Sequence, residues 1–150
     1  MRFQRDSYSC GVFAVLNVAE ALGVRLTERE VRKHTSTTKE DGTSQHGILN
    51  ALERLGFKGT PFEETNKDAA YNKVWTEISE GKGVILSVEE DRHWISAFAV
   101  NGVNRVVTFD SWNSQYCKSV GGTDVWTSAT LRKWWLKTDG KWFGIVMERA

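Results

Sequence analysis

The chain has 150 residues, 40% of them hydrophobic, seven tryptophans and a formal net charge of +1. Near-balanced charge removes the basic excess that a nucleic-acid or polybasic membrane-surface partner requires, and no apolar run approaches the roughly 20 residues of a membrane span. The cysteines, Cys10 and Cys117, make no disulfide framework, and the dispersed histidines give no zinc spacing.

The expectation is therefore a single domain over residues 1–150 with one apolar core and no metal or cofactor. No charged-then-apolar signal pattern opens the chain, so a cytoplasmic location is expected, with export by another route left open.

In chain order, helical spacing of Val12, Phe13, Val15, Leu16, Val18, Ala19 and Leu22 predicts a first helix beginning at Cys10 and stopped by Gly23. Thr27 and Glu30 read as a capping box opening a short second helix. Ser44 caps a third, with Ile48, Leu49, Leu52 and Leu55 on one side and Gly56 at its end. A fourth covers Asp68 to Glu80, with Val74, Trp75 and Ile78 inward.

The period then shortens. Gly83 to Val88 is a buried strand. Trp94 to Val100 and Arg105 to Phe109 are strands joined at Asn101-Gly102, a strong hairpin signal. A short helix from Leu131 to Leu136, capped by Ser128, and a last strand from Trp142 to Met147 complete the reading. Helices first and an antiparallel sheet after predict an α+β domain.

The segment from Gln4 to Gly11 carries the chemistry. Cys10 opens the first helix, where unpaired N–H groups and the helix dipole favour a thiolate. The following Gly11 lets a substrate carbonyl approach the backbone. Gln4, six residues upstream, can fold back and donate to an oxyanion together with the Cys10 N–H.

A thiolate needs a base, and the base an orienter. His93 starts one strand of the predicted hairpin and Asp110 ends the other. Each stands eight residues from the Asn101-Gly102 turn, so the two should face each other across the pair. Glu89, Glu90 and Asp91 form a charged turn whose proximity would raise the His93 pKa.

These residues resemble the papain-like cysteine peptidases: a glutamine six before a cysteine that opens the central helix, and a histidine and an aspartate on successive strands. Asp110-Ser111-Trp112-Asn113 is similar to the Asn-Ser-Trp-Gly of plant enzymes. The resemblance implies that Trp112 shields the His–Asp contact. Within that superfamily, the likeness is to compact bacteriocin-processing peptidases that cut leaders after a double glycine. It rests on Cys10-Gly11, on the Gly42-Thr43-Ser44 to Leu55-Gly56-Phe57 stretch and on His93-Trp94 with Asp110.

The resemblance implies a papain-like fold, N-terminal helices on a C-terminal antiparallel sheet, and a thiol protease. It would cleave a peptide or protein substrate through a thioester on Cys10, with His93, Asp110 and Gln4 as its partners. Gly11, Trp94, Trp112, Gly42 and Ser44 are the candidate substrate-binding residues. The chain departs from the family in lacking membrane spans, in Ser9 before the cysteine, and in a C-terminal part rich in tryptophan. The expectation is thus a standalone peptidase or isopeptidase. The alternatives are an acyltransferase or deamidase on the same fold, or a peptide-binding module or effector with little catalysis.

His34 and His46 read as surface residues and Cys117 as a packed or idle thiol. Adjacent Trp134 and Trp135 cannot share one helix face, which leaves one of them free to mark a partner surface.

Overall fold

The computed structural model describes residues 1–88, 93–102, 105–111, 122–127, 135 and 140–150. Outside these lie the Glu89–Asp91 turn, Trp112, Cys117, Trp134 and, apart from Trp135, the helix expected over Leu131 to Leu136.

The described elements are α1 (Cys10–Ala21), α2 (Glu28–Thr35), α3 (Gln45–Arg54), β1 (Phe57–Glu64), α4 (Lys67–Ser79), β2 (Gly83–Val88), β3 (His93–Val100), β4 (Arg105–Asp110), β5 (Gly122–Thr127) and β6 (Trp142–Arg149). The strands form one antiparallel sheet in the order β1-β6-β2-β3-β4-β5. Helices and an antiparallel sheet give the α+β class expected.

The helix caps follow the local chemistry read from the sequence. Glu30 N–H donates to Thr27 Oγ1 at 3.1 Å, while Thr27 N–H donates to the Glu30 carboxylate at 2.7 Å. Ser44 Oγ accepts from Gly47 N–H at 3.0 Å. Each cap satisfies first-turn donors that would otherwise lack partners.

Helix α1 runs through the core, with every residue from Cys10 to Ala19 buried. One apolar cluster joins α1, α2 and α3 to Ile85, Trp94, Phe143, Ile145 and Met147. A second joins α4 to Val84, Leu86, Val88, Ile95, Ala97, Val106 and Trp135. Alternation along β2 sends Ile85 to the first cluster and its neighbours to the second, as a two-residue period requires. Trp135 is fully buried and donates its indole N–H to the Phe143 carbonyl at 2.6 Å.

Two strands are additions to the sequence reading. β1 contains Gly59, Pro61, Glu63 and Glu64, a composition that hides a strand. Among the described residues it pairs with β6 alone, and a sheet edge tolerates proline and exposed carboxylates. Among the described residues, β5 is the other edge and pairs with β4.

The β3–β4 register differs from the one expected. Asn101-Gly102 is not a two-residue turn: Val100 pairs with Val106, and Asn101 N–H donates to the Arg105 carbonyl at 3.0 Å. A bulge between Ala97 and Ala99 then shifts the pairing, so that Ser96 meets Phe109. Continued by one residue, this register sets Asp110 opposite Ile95. His93 is then diagonal to Asp110 rather than directly across from it.

Candidate active site

Two contacts dock the N-terminal segment and the sheet onto α1. Asn17 is buried, and its amide exchanges hydrogen bonds with the Arg2 backbone, 2.8 Å from Arg2 N to Oδ1 and 3.0 Å from Nδ2 to the Arg2 carbonyl. Ser96 Oγ on β3 donates to the Ala14 carbonyl at 3.1 Å. The first contact lays the chain before Gln4 along α1. The second fixes β3, and with it His93, relative to the helix that starts at Cys10.

Cys10 is a free thiol at the first helical position. The N-cap residue Ser9 makes no side-chain cap, so the first-turn N–H groups have no serine hydroxyl competing for them. The thiol therefore sits against the positive end of a core helix.

His93 Nε2 lies 2.6 Å from Asp110 Oδ1, and both side chains are buried. The Cys10 side chain is near enough to act on the imidazole, where with Asp110 it favours the protonated ring. With Nε2 held by the carboxylate, Nδ1 is the nitrogen left for sulfur. Burial opposes the charged imidazole, but Asp110 and Cys10 outweigh it and raise the His93 pKa from 6.5 to about 10. Asp110 thus holds the His93 imidazole in its protonated form near Cys10.

Gln4 is buried and tied to the residue after Asp110. Its backbone N–H donates to the Ser111 carbonyl at 2.9 Å, and Ser111 Oγ donates to Gln4 Oε1 at 2.6 Å. The serine bond fixes which end of the amide is oxygen, leaving Nε2 as the outward donor. The structure thus brings Cys10, His93, Asp110 and Gln4 to one end of the sheet.

The other candidates are placed as follows. Gly11 is buried, and a Cβ there would stand 2.5 Å from Thr43 Cβ, so Thr43 packs where a side chain would be. Trp94 is turned inward, its indole N–H donating to the Thr43 carbonyl at 2.8 Å and its ring edge-on to Phe143. Gly42 adopts a φ of +64° beside the Tyr8 carbonyl, and Ser44 uses its hydroxyl on the α3 cap. Trp112 lies outside the described residues.

A family model described as the peptidase C39 family matches residues 1–99. The chain belongs to that family. This C39 chain is a cysteine peptidase, and the match contains Gln4, Cys10 and His93 and ends before Asp110. It is 30% identical over 115 residues to the lactococcin-G-processing and transport ATP-binding protein LagD of Lactococcus lactis. That alignment covers 71% of this chain but 16% of LagD, so the chain spans only a small part of that relative's length.

Among solved structures, the peptidase domain of Streptococcus ComA, a bi-functional ABC transporter involved in a quorum-sensing pathway, superposes with a TM-score of 0.70. The two share 17% identity over 99% of this chain and 96% of that one. A double-glycine motif protease from an AMS/PCAT transporter, solved with a leader peptide, gives a TM-score of 0.68 at 12% identity, covering 99% and 89%. At such identities the likeness establishes the fold. Among the described residues of the C39 chain, no helix is long and apolar enough to cross a membrane.

Sequence reasoning missed Ser111 and Thr43 as supports. Ser111 stands next to Asp110, yet its partner Gln4 is 107 positions away, which no local signal encodes. Thr43 lies between Gly42 and the α3 N-cap Ser44, and only the packing on Gly11 reveals its part as a support.

Proposed function

We propose that this C39 peptidase cleaves leader peptides after a double glycine, using Cys10 as nucleophile, His93 as base, Asp110 as orienter and Gln4 as oxyanion donor. The observation that carries it is the buried His93–Asp110 pair, 2.6 Å apart, together with the free Cys10 thiol at the start of α1 that acts on the same imidazole. His93 holds the proton of Cys10, and the thiolate attacks the scissile carbonyl. The Gln4 amide and the Cys10 N–H receive the developing negative charge. His93 returns its proton to the leaving amine, and water then releases the acyl group from sulfur.

The choice of a leader peptide is supported by LagD, whose name describes a processing and transport protein, and by the leader-bound double-glycine protease of the same fold. Both favour a leader processor over the standalone peptidase expected from the sequence.

A synthetic leader ending in Gly-Gly, joined to a cargo peptide, should be cut after the second glycine, as read by mass spectrometry. Substitution of the glycine pair by leucines should stop the cut. Cleavage that ignores the pair, or transfer of the acyl group to an added amine in place of hydrolysis, would overturn the reading.

Gln4→Ala should lower kcat by about 10²–10³-fold with little change in KM, since an oxyanion donor acts on the transition state. Steady-state kinetics with the same peptide check this, and an unchanged kcat removes Gln4 from the site.

A further inference from the structure

The loop between Gln4 and Cys10 is held from outside by a residue that the proposed mechanism does not use. Gln4 Nε2 donates one hydrogen to the Asp6 carbonyl at 2.7 Å. That bond sets the plane of the amide and directs its second N–H. The Asp6 carboxylate, for its part, accepts from Tyr8 N–H at 3.2 Å, closing a small turn over the loop. It also accepts from Arg32 Nη2 on α2 at 2.9 Å.

Arg32 is itself fixed. Its Nε donates to Glu28 Oε1 at 3.0 Å, one turn back on α2, and its guanidinium lies 5.6 Å over the Tyr8 ring. One planar group therefore grips the helix, the Asp6 carboxylate and the Tyr8 ring together, which the point charge of a lysine would not do. The Arg32 and Asp6 side chains are 30% and 28% exposed, so as a stabilising ion pair this contact is weak. Its geometric effect is larger, because the Asp6 it anchors is the residue whose carbonyl orients the oxyanion donor.

We infer that Arg32 is a positioning residue: by anchoring Asp6 from α2, it orients the Gln4 amide toward the oxyanion. The inference rests on the proposed role of Gln4 and extends it to a residue outside the reacting centre. Small misplacements of a donor cost rate steeply, because the bond must reach the oxyanion and not the ground-state carbonyl.

The test uses the full chain and the Gly-Gly leader peptide. Arg32→Ala and Asp6→Asn should each lower kcat about 10-fold while leaving KM in place. The pH profile of Cys10 alkylation should stay unmoved, because that reaction does not use the oxyanion donor. In a Gln4→Ala background, Arg32→Ala should cost less than about 2-fold further, as expected of two residues acting through one bond.

A readout without substrate is the pair of side-chain amide resonances of Gln4 in a ¹⁵N spectrum, which should lose dispersion in both variants. Full kcat with unchanged Gln4 resonances, or an additive loss in the double variant, would overturn the inference. Should Arg32→Ala fail to fold, Asp6→Asn decides alone. A chain that cleaves no leader, yet whose Gln4 amide loosens in the variants, counts against the proposed function and for the positioning role.

Discussion

Cys10→Ala is expected to reduce kcat/KM by at least ~10⁴-fold and to leave the urea-unfolding midpoint almost unchanged. The two halves have separate causes. Without sulfur, no thioester can form, and the remaining oxyanion donors act only on a slow attack by water. The fold, by contrast, loses one atom at the first turn of a helix whose neighbours from Gly11 to Ala19 are all buried by other contacts. Alanine is also the better helix former. Turnover within ~100-fold of the parent would move the nucleophile elsewhere. A large fall in the unfolding midpoint would make any lost activity uninformative about chemistry, so both measurements belong to one experiment.

The second large effect concerns the ion pair. With Cys117 replaced by serine in both proteins, a neutral alkylating reagent should modify Cys10 in the parent at pH 6. The rate should fall on the order of 10–100-fold in His93→Ala at that pH.

The direction follows from the imidazole. His93 is raised from 6.5 to about 10, because Asp110 and Cys10 outweigh the opposing burial. Its proton is thus retained through neutral pH and lost only as pH rises through about 10. Over that window the parent profile should be flat, and above it the pair dissolves. In the variant, the rate should instead climb with pH as an ordinary thiol ionises near 8.5. Coincident profiles in the two proteins would mean that no pair is assembled.

Much of this arrangement was legible in the chain because its signals are local. Cys10 at a helix start, Thr27 with Glu30 and Ser44 before α3 are each set within one or two turns, and the structure has each in that setting. What escaped is set over longer distances. The bulge between Ala97 and Ala99 leaves no mark in an apolar run, so the register at His93 could not be counted from Asn101-Gly102. β1 escaped because an edge position lets solvent and Pro61 set its composition, masking the alternation of a half-buried strand.

The same division runs through the site. The spacing of Gln4 and Cys10 is visible in the sequence. The hold of Ser111 on Gln4, and that of Thr43 on Gly11, arise only when distant segments meet.

Two consecutive residues at the end of β4 serve two different partners: Asp110 holds His93, and Ser111 holds Gln4. The proposed proton acceptor and the proposed charge stabiliser therefore hang from one short length of backbone and cannot be adjusted separately. An inhibitor would not have to reach the sulfur. A molecule wedged beside the end of β4, displacing it by an ångström, would disarm both at a stroke and leave the thiol untouched.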